Sequence, residues 1–549
     1  MPTITIDKNA FEELVGKKLP LDELKDRISM LGTDLESIEG NDIHVEVFPN
    51  RPDMLSVQGF ARAFSSFIGQ KTGLREYKVN KSDYEVIVEK SVEKVRPFTV
   101  CAVVKGIKYD DRKIKEVIMV QEKLHVTYGR NRKKVAIGIY PMEKISFPII
   151  FRAEKPSYIV FQPLDYHEKL TARQILLMHP TGKEYAHLLA NAEVYPIFVD
   201  GKGEILSMPP IINSHDTGKI SYDTKDVFIE CSGFDIEVLK KSLNMIVCAM
   251  AEMGGDIYSM RIRYPEKTVI TPDLSPEEMA VDRGYIEERL GITLSEKELK
   301  RYLEQMGYGY ANGKALVPAY RADILHQIDL AEDIAIAYGY ERFDSLLPNV
   351  ATTGEENPFE VFKNKLADAL CGLGFLEAHT YNLTNREFQF VRMNHTAEHV
   401  ALANSISQEY DILRTWVMPS MLEVLSRNKH HEYPHNLFGI GTTFKKGESE
   451  TGVIESDCVA VVLCSDSADY TKARQALDYI MRCFAVDYTV EDSEHSSFIP
   501  GRLARVHVKG KEVAYIGEIS PEVISNWQLE MPVAGFELNL TDLFSLIRE

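Results

Sequence analysis

A polar run bracketed by prolines, LPNVATTGEENP from Leu347 to Pro358, interrupts the apolar patterning of this chain and forbids one continuous core. Proline lacks a backbone N–H and pushes the residue before it out of the helical region, so Pro348 and Pro358, with Gly354 between them, set a break that neither a helix nor a sheet ladder crosses. With 549 residues the chain is long enough for several domains around such a break, and its 44% hydrophobic residues supply their cores.

Before the break the patterning separates a small α/β module over 1–84, an α+β segment over 85–265 and a second small module over 266–346; after it, 355–549 forms a further α+β segment. In the first module a strand-like TITID leads to LPLDELKDRISMLG, where Leu21, Leu24, Ile28 and Leu31 keep helical spacing and Gly32 stops the helix. In the third, TLSEKELKRYLEQMGY opens on a capping-box pair, Ser295 and Glu298. Its apolar face is Leu299, Tyr302, Leu303 and Met306, and Gly307 ends it. The two helices share a pattern, which reads either as a duplicated, helix-turn-helix-like module or as the likeness of any two amphipathic helices. Between them, FTVCAVVKGI and KKVAIGIY predict strands and Val238 to Gly254 an apolar helix. Beyond the break, helices are expected over Pro358 to Gly372 and Ala468 to Phe484. Strands are expected over Asp457 to Cys464 and Arg505 to Glu518, together an antiparallel sheet with helices.

No stretch approaches the roughly 18 apolar residues of a membrane span, and the N-terminus lacks a basic region followed by an apolar one, so a soluble, cytoplasmic chain without a membrane partner is expected. Seven scattered cysteines form no C-x-x-C pair, which fits a reducing compartment better than zinc or redox chemistry. A net charge of −19 argues against nonspecific coating of nucleic acid; the basic run GRNRKK, Gly129 to Lys134, reads as a solvated charged turn or as a local patch. HHEYPH contains a literal H-E-x-x-H at His431, Glu432 and His435, but Pro434 breaks the helix that zinc binding by this motif needs, leaving a solvated loop. No phosphate-binding glycine fingerprint occurs.

Two constellations could carry chemistry. Asp323, Asp329, Glu332 and Asp333 are four carboxylates within eleven residues, the last three at spacings that share a helical face. Such hard oxygen ligands suit Mg²⁺, which would relieve their repulsion; an acidic first turn complementing the helix dipole is the alternative. The second constellation joins SMPPIINSHDTGKIS, Ser207 to Ser221, with DVFIECSGFD, Asp226 to Asp235: Asn213, Ser214, Glu230 and Ser232 would converge on a small pocket, or else satisfy turns and strand edges.

The run PAYRADILHQIDLAEDIAIAYGYERF, Pro318 to Phe343, resembles a segment diagnostic of phenylalanyl-tRNA synthetase β subunits. FPNRPDMLSVQGFARA, QEKLH (Gln121 to His125), HPTGKEYAHLL (His179 to Leu189), the two pocket strings, YDILRTWVMPSMLEVLSRN, HNLFGIGTTF and FIPGRLARVHVKGKEVAYIGEISPEV extend the resemblance from end to end, in the archaeal and eukaryotic layout. It implies a β subunit of an α2β2 ligase that attaches phenylalanine to tRNA(Phe), with the ATP and phenylalanine sites on the α subunit. It implies a Mg²⁺ ion at Asp323, Asp329, Glu332 and Asp333, shared with the α subunit and bracing the interface. It also implies a B3/B4-like editing domain over 85–265, a B5-like module over 266–346 and a catalytically inactive class II synthetase-like core over 355–549.

In the editing domain, which hydrolyses tyrosine mistakenly attached to tRNA(Phe), Glu230 is the candidate partner of the tyrosine phenol. Ser214 and Ser232 would orient the ester or a water, with no covalent intermediate, since no Ser-His-Asp or Cys-His arrangement is visible. Two departures from the family pattern stand out: Ser232 where Thr is usual, and Tyr140-Pro141 after AIGI where His-Asp is common. The ATP-clamping arginines of a working class II site are missing, and Arg414 and Arg502 read as structural or interfacial. The rivals are a nonenzymatic nucleic-acid-binding assembly protein and a self-sufficient class II ligase.

Overall fold

The computed structural model describes residues 2–350 and 354–548, so residues 351–353 of the proline-bracketed run lie outside the described residues. The chain forms two compact units, Met1–Leu347 and Pro348–Glu549.

The first unit begins with a three-stranded antiparallel sheet in the order Thr3–Asp7, Asp42–Glu46, Asp34–Glu39, carrying the helices Lys8–Val15 and Leu21–Met30. Leu24, Ile28 and Leu31 are buried as their spacing requires, whereas Leu21, at the first helical position, is 43% exposed. The same plan returns near the end of the unit: Glu277–Ala280, Lys314–Val317 and Gly309–Ala311 in the same first-third-second order, with helices Arg283–Leu290 and Glu296–Gln305. Asp7 and Asp282 cap the first helix of each module, and Gly16 and Gly291 end it in left-handed conformation. The parallel continues past the hairpins. Each module runs into an Arg-x-Asp ion pair, Arg51 with Asp53 and Arg321 with Asp323, and then into a helix, Val57–Phe67 and Gln327–Tyr338. The likeness of the two helices in sequence is therefore part of a duplicated unit of about seventy residues (277–347 against 3–69).

Between the modules lie two large sheets and a two-stranded one, Val160–Phe161 with Leu170–Thr171. A five-stranded sheet has the order Val79–Asn80, Asp256–Tyr258, Phe98–Lys105, Val227–Gly233, Val135–Pro141. A seven-stranded sheet contains Ile212–Asn213, Ile205–Met208, Tyr195–Val199, Ile149–Glu154, Glu85–Val88, Met260–Arg263 and Thr268–Thr271 in that order. Both large sheets draw strands from outside 85–265: Val79–Asn80 pairs with Ile257 and Tyr258, and Thr268–Thr271 extends Met260–Arg263.

Strand alternation sets the layers. Val227, Ile229 and Cys231 join Val100, Ala102 and Val104 in a core with the helices Asp111–Val126 and Ile236–Glu252, which also takes in both small modules. Phe228 points the other way, with Cys101, Val103 and Tyr140, into a second core shared with Val86, Phe151 and Phe198 of the seven-stranded sheet. Glu230 and Ser232 lie on this same inner face by period two, polar groups at the end of an apolar sandwich.

The second unit is a seven-stranded sheet in the order Leu376–Glu377, His435–Lys446, Val453–Cys464, Val533–Asn539, Lys511–Ile519, Phe498–Val508, Thr489–Asp492, antiparallel except at the first pair. The helices Pro358–Gly372, Tyr470–Cys483 and Leu540–Arg548 cover one face, and Met418–Asn428 and Pro521–Asn526 the other. The chain is thus α+β and multidomain. His431 lies in a turn and His435 opens a strand, so the two never share a helix. No described helix is long and apolar enough to cross a membrane.

Candidate functional site

The strings that are far apart in sequence meet around one cavity of about 800 Å³ in the first unit. Gln121, Glu122 and His125 line it from the helix Asp111–Val126; His179, Thr181, Glu184 and Tyr185 from the short helix that follows His179; Ser207 and Pro209 to Asn213 from the turn around the proline pair; and Glu230 from its strand. Of the four expected pocket residues, Asn213 and Glu230 line the cavity while Ser214 and Ser232 do not. Ser232 is fully buried one step further along the strand, its hydroxyl accepting from Arg96 Nε at 3.1 Å, so it braces the strand and does not face a ligand.

Glu230 is 2% exposed. It stands opposite Gly138 on one side and Cys101 on the other. A Cβ on Gly138 would sit 2.1 Å from the Tyr140 hydroxyl and 2.7 Å from Glu230 Oε1, so glycine in AIGI is what lets those two side chains meet. The Tyr140 hydroxyl reaches Glu230 Oε1 at 3.2 Å and Asn213 Oδ1 at 3.4 Å, while Oε2 is buried with no hydrogen-bond partner. Burial pushes the Glu230 carboxyl up to about 8, against the opposing pull of Arg96 and of the hydrogen bond from Tyr140. At neutral pH the group is therefore largely a protonated acid that both donates and accepts. Tyr140, noted in sequence only as a departure, occupies the ground between Glu230 Oε1 and Asn213 Oδ1.

The wall across from Glu230 is charged and ordered. His125 Nε2 accepts from the Ile137 N–H at 2.8 Å, which places the proton on Nδ1, 3.2 Å from Glu122. Arg132 bonds Glu122 at 3.1 Å and the Ile211 carbonyl at 2.8 Å and lies over the Tyr185 ring. Burial works against the Glu122 charge, but the hydrogen bond from His125 and the Arg132 guanidinium outweigh it and bring the group down to about 2. Besides Glu230 Oε2, three polar atoms of lining residues are buried without partners, Arg132 Nε, Ser207 Oγ and His179 Nδ1, while His179 Nε2 lies 3.2 Å from the Leu164 carbonyl. An unpartnered acid, hydroxyl and imidazole nitrogen around one cavity suit recognition of a polar ligand and positioning of a water; no described side chain there is arranged as an activated nucleophile.

The acidic run takes a different form from the one expected. Asp323 accepts from Arg321 Nε at 2.8 Å and Nη2 at 2.7 Å, and Asp333 accepts from Arg321 Nη2 at 2.8 Å and from the Tyr308 hydroxyl. Asp329 Oδ2 accepts the backbone N–H groups of Leu325 and His326, both at 2.7 Å, closing the turn that starts the helix. Glu332 points out and accepts from the Tyr340 hydroxyl at 2.9 Å. Among the described residues no three His, Cys, Asp or Glu side chains gather as metal ligands. The donor set does not fit a Mg²⁺ ion held by this chain, because Arg321 neutralises two of the carboxylates and the helix start uses a third. Arg321, two residues before Asp323, is the signal for this pairing that the sequence carries; Tyr308 has none.

In the second unit Arg414 is buried and its guanidinium is taken up by Thr442 O at 2.8 Å, Thr380 Oγ1 at 2.9 Å and Asn382 Oδ1 at 2.7 Å. A Cβ on Gly441 would lie 1.9 Å from Arg414 Nη2, so the strand is opened by glycine to let this arginine cross. Arg502 pairs with Glu518.

Two family descriptions match the chain: the tRNA synthetase B5 domain over residues 279–340 and the phenylalanyl tRNA synthetase beta chain CLM domain over residues 344–540. They place it in the class of aminoacyl-tRNA synthetase chains. It is 40% identical over 555 residues to the phenylalanine–tRNA ligase beta subunit of Pyrococcus abyssi, covering 99% of this chain and 100% of that one. With that of Archaeoglobus fulgidus it shares 38% over 552 residues and 99% of each chain. An N-terminal fragment of the phenylalanyl-tRNA synthetase beta subunit from Pyrococcus horikoshii superposes with a TM-score of 0.59 at 38% identity, over 61% of this chain and 99% of the fragment. The chain belongs to the family of phenylalanine–tRNA ligase beta subunits.

Proposed function

We propose that this chain works with an α subunit in the ATP-dependent attachment of phenylalanine to tRNA(Phe), and that its own cavity hydrolyses tyrosine misplaced on that tRNA. Glu230 carries the second part: a buried acid, protonated near neutral pH, with one oxygen unpartnered at the edge of a cavity large enough for an aminoacyl ester. A synthetic pocket for phenylalanine rejects an analogue with one added hydroxyl only weakly, whereas a second site that hydrogen-bonds that hydroxyl separates the two. Asn213 and Glu230 recognise the phenol, and His179 and Ser207 hold the water or the ester.

The sheet of the second unit acts as an inactive class II-like core. Arg414 is buried with all three guanidinium nitrogens bonded within the protein, which leaves ATP and phenylalanine to the α subunit. Leu376, Tyr381, Val391 and Ile406 are each exposed by 68% or more along the segment 376–406 of this unit, large apolar side chains of the kind a partner chain covers. A Mg²⁺ ion near Glu332 would need oxygen ligands from that second chain. Charging assays on the co-purified α subunit test the assembly role: phenylalanylation of tRNA(Phe) should require both chains, and full activity of the α subunit alone would refute it.

A further inference from the structure

The basic turn Gly129–Lys134 does more than meet solvent. Arg130, Asn131 and Arg132 stand at φ of 49°, 51° and 63°, three successive non-glycine residues in left-handed backbone. That conformation throws their side chains to different sides. Arg132 turns into the cavity with Glu230, whereas Arg130, Asn131 and Lys133 line a second cavity of about 470 Å³. Pro210 lines both cavities, so they adjoin. The second cavity also holds Arg96, His187 and Phe234, and no described Asp or Glu lines it, although the chain carries a net charge of −19. Among the described residues Arg130 and Lys133 enter no ion pair. Phe234 is 54% exposed, with the Arg96 guanidinium 5.6 Å from its ring centre. Unpaired cations beside an exposed aromatic ring are how proteins hold single-stranded nucleic acid: the cations meet phosphates, and the ring stacks on a base.

We propose that this cavity binds the nucleotides that precede the esterified 3′ end of tRNA, with their phosphates on Arg130 and Lys133 and a base against Phe234. The proposal rests on the hydrolytic reading of the adjoining cavity. Its test uses the complex with the α subunit and two esters, Tyr-tRNA(Phe) and 3′-O-tyrosyl-adenosine, which lacks the preceding nucleotides. Arg130→Gln with Lys133→Gln, and separately Phe234→Ala, should raise KM for Tyr-tRNA(Phe) about tenfold or more, consistent with ~1–3 kcal/mol for one stacked base. The salt dependence should become shallower by about 0.7 for each phosphate left without its cation. Hydrolysis of 3′-O-tyrosyl-adenosine should not change. Equal impairment on both esters, or no change on either, overturns the proposal. If the wild type hydrolyses neither ester, the hydrolytic reading is what fails. Binding of the trinucleotide CCA then decides the cavity by itself: weaker binding by the variants supports it, and equal affinity overturns it.

Discussion

Glu230 and Asp333 are both buried carboxylates in the first unit, 2% and 5% exposed, yet they meet opposite fates. Asp333 lies in an acidic run of four carboxylates within eleven residues, and Arg321 and Tyr308 satisfy it. Glu230 stands alone in an apolar strand, with one oxygen bonded by Tyr140 and the other by nothing. Charge density along a sequence is therefore a poor guide to reactivity; what counts is whether the fold delivers a partner. The paired acid becomes part of the scaffold, and the unpaired one keeps a shifted proton equilibrium and an open hydrogen-bonding site.

The largest effect that would break this contrast lies on the paired side. Arg321→Met leaves Asp323 and Asp333 without their cation and should cost about 3–5 kcal/mol in urea unfolding; a change within experimental error would mean that the network is not structural. On the unpaired side the effect depends on pH. The carboxyl of Glu230 ordinarily titrates at 4.5 and is raised to about 8 in the folded chain, so between those values the folded state keeps a proton that the unfolded state has released. Stability from this group is thus fully present below about 4.5 and is lost as pH rises through 8. Glu230→Gln should flatten that slope, gaining on the order of a few kcal/mol over the wild type at high pH. A variant whose pH–stability curve runs parallel to the wild type would remove the claim that Glu230 is protonated. Tyr140→Phe takes the remaining donor from Glu230 Oε1. It should cost about 1 kcal/mol of stability and lower KM for a tyrosine ester, since the phenol it removes competes with the substrate's. Smallest is Ser295→Ala, which deletes a capping box in the second small module and should cost ~1 kcal/mol in thermal unfolding.

Much of the fold is legible in the sequence because it is local. The Ser295–Glu298 cap, the stops at Gly32 and Gly307 and the helix Pro358–Gly372 follow from propensity and spacing, and the structure reproduces them. The boundary after Leu347 follows from two prolines. The contents of the cavity are only half legible. The strings QEKLH, HPTGKEYAHLL and SMPPIIN each supply lining residues, but which side chains face inward depends on strand register and on turns that sequence spacing does not fix. Glu230 lines the cavity as its string suggests, while Ser232, two residues away on the same face, is claimed by Arg96 from 136 positions earlier, a partner no local pattern announces. Tyr140 is hidden for the same reason: its phenol meets Glu230 only because Gly138 faces that residue across the ladder. The left-handed turn at Arg130 to Arg132 is largely hidden too, since only Asn131 in GRNRKK favours positive φ and neither flanking arginine does.

The most direct test of the contrast is release of tyrosine from Tyr-tRNA(Phe) by the complex of this chain with its α subunit. Glu230→Ala should slow it by about tenfold to a hundredfold, the worth of a hydrogen bond made in a dry site, while charging with phenylalanine is unchanged. Glu332→Gln, in the exposed part of the acidic run, should leave tyrosine release as it is. Undiminished hydrolysis by Glu230→Ala would contradict the account.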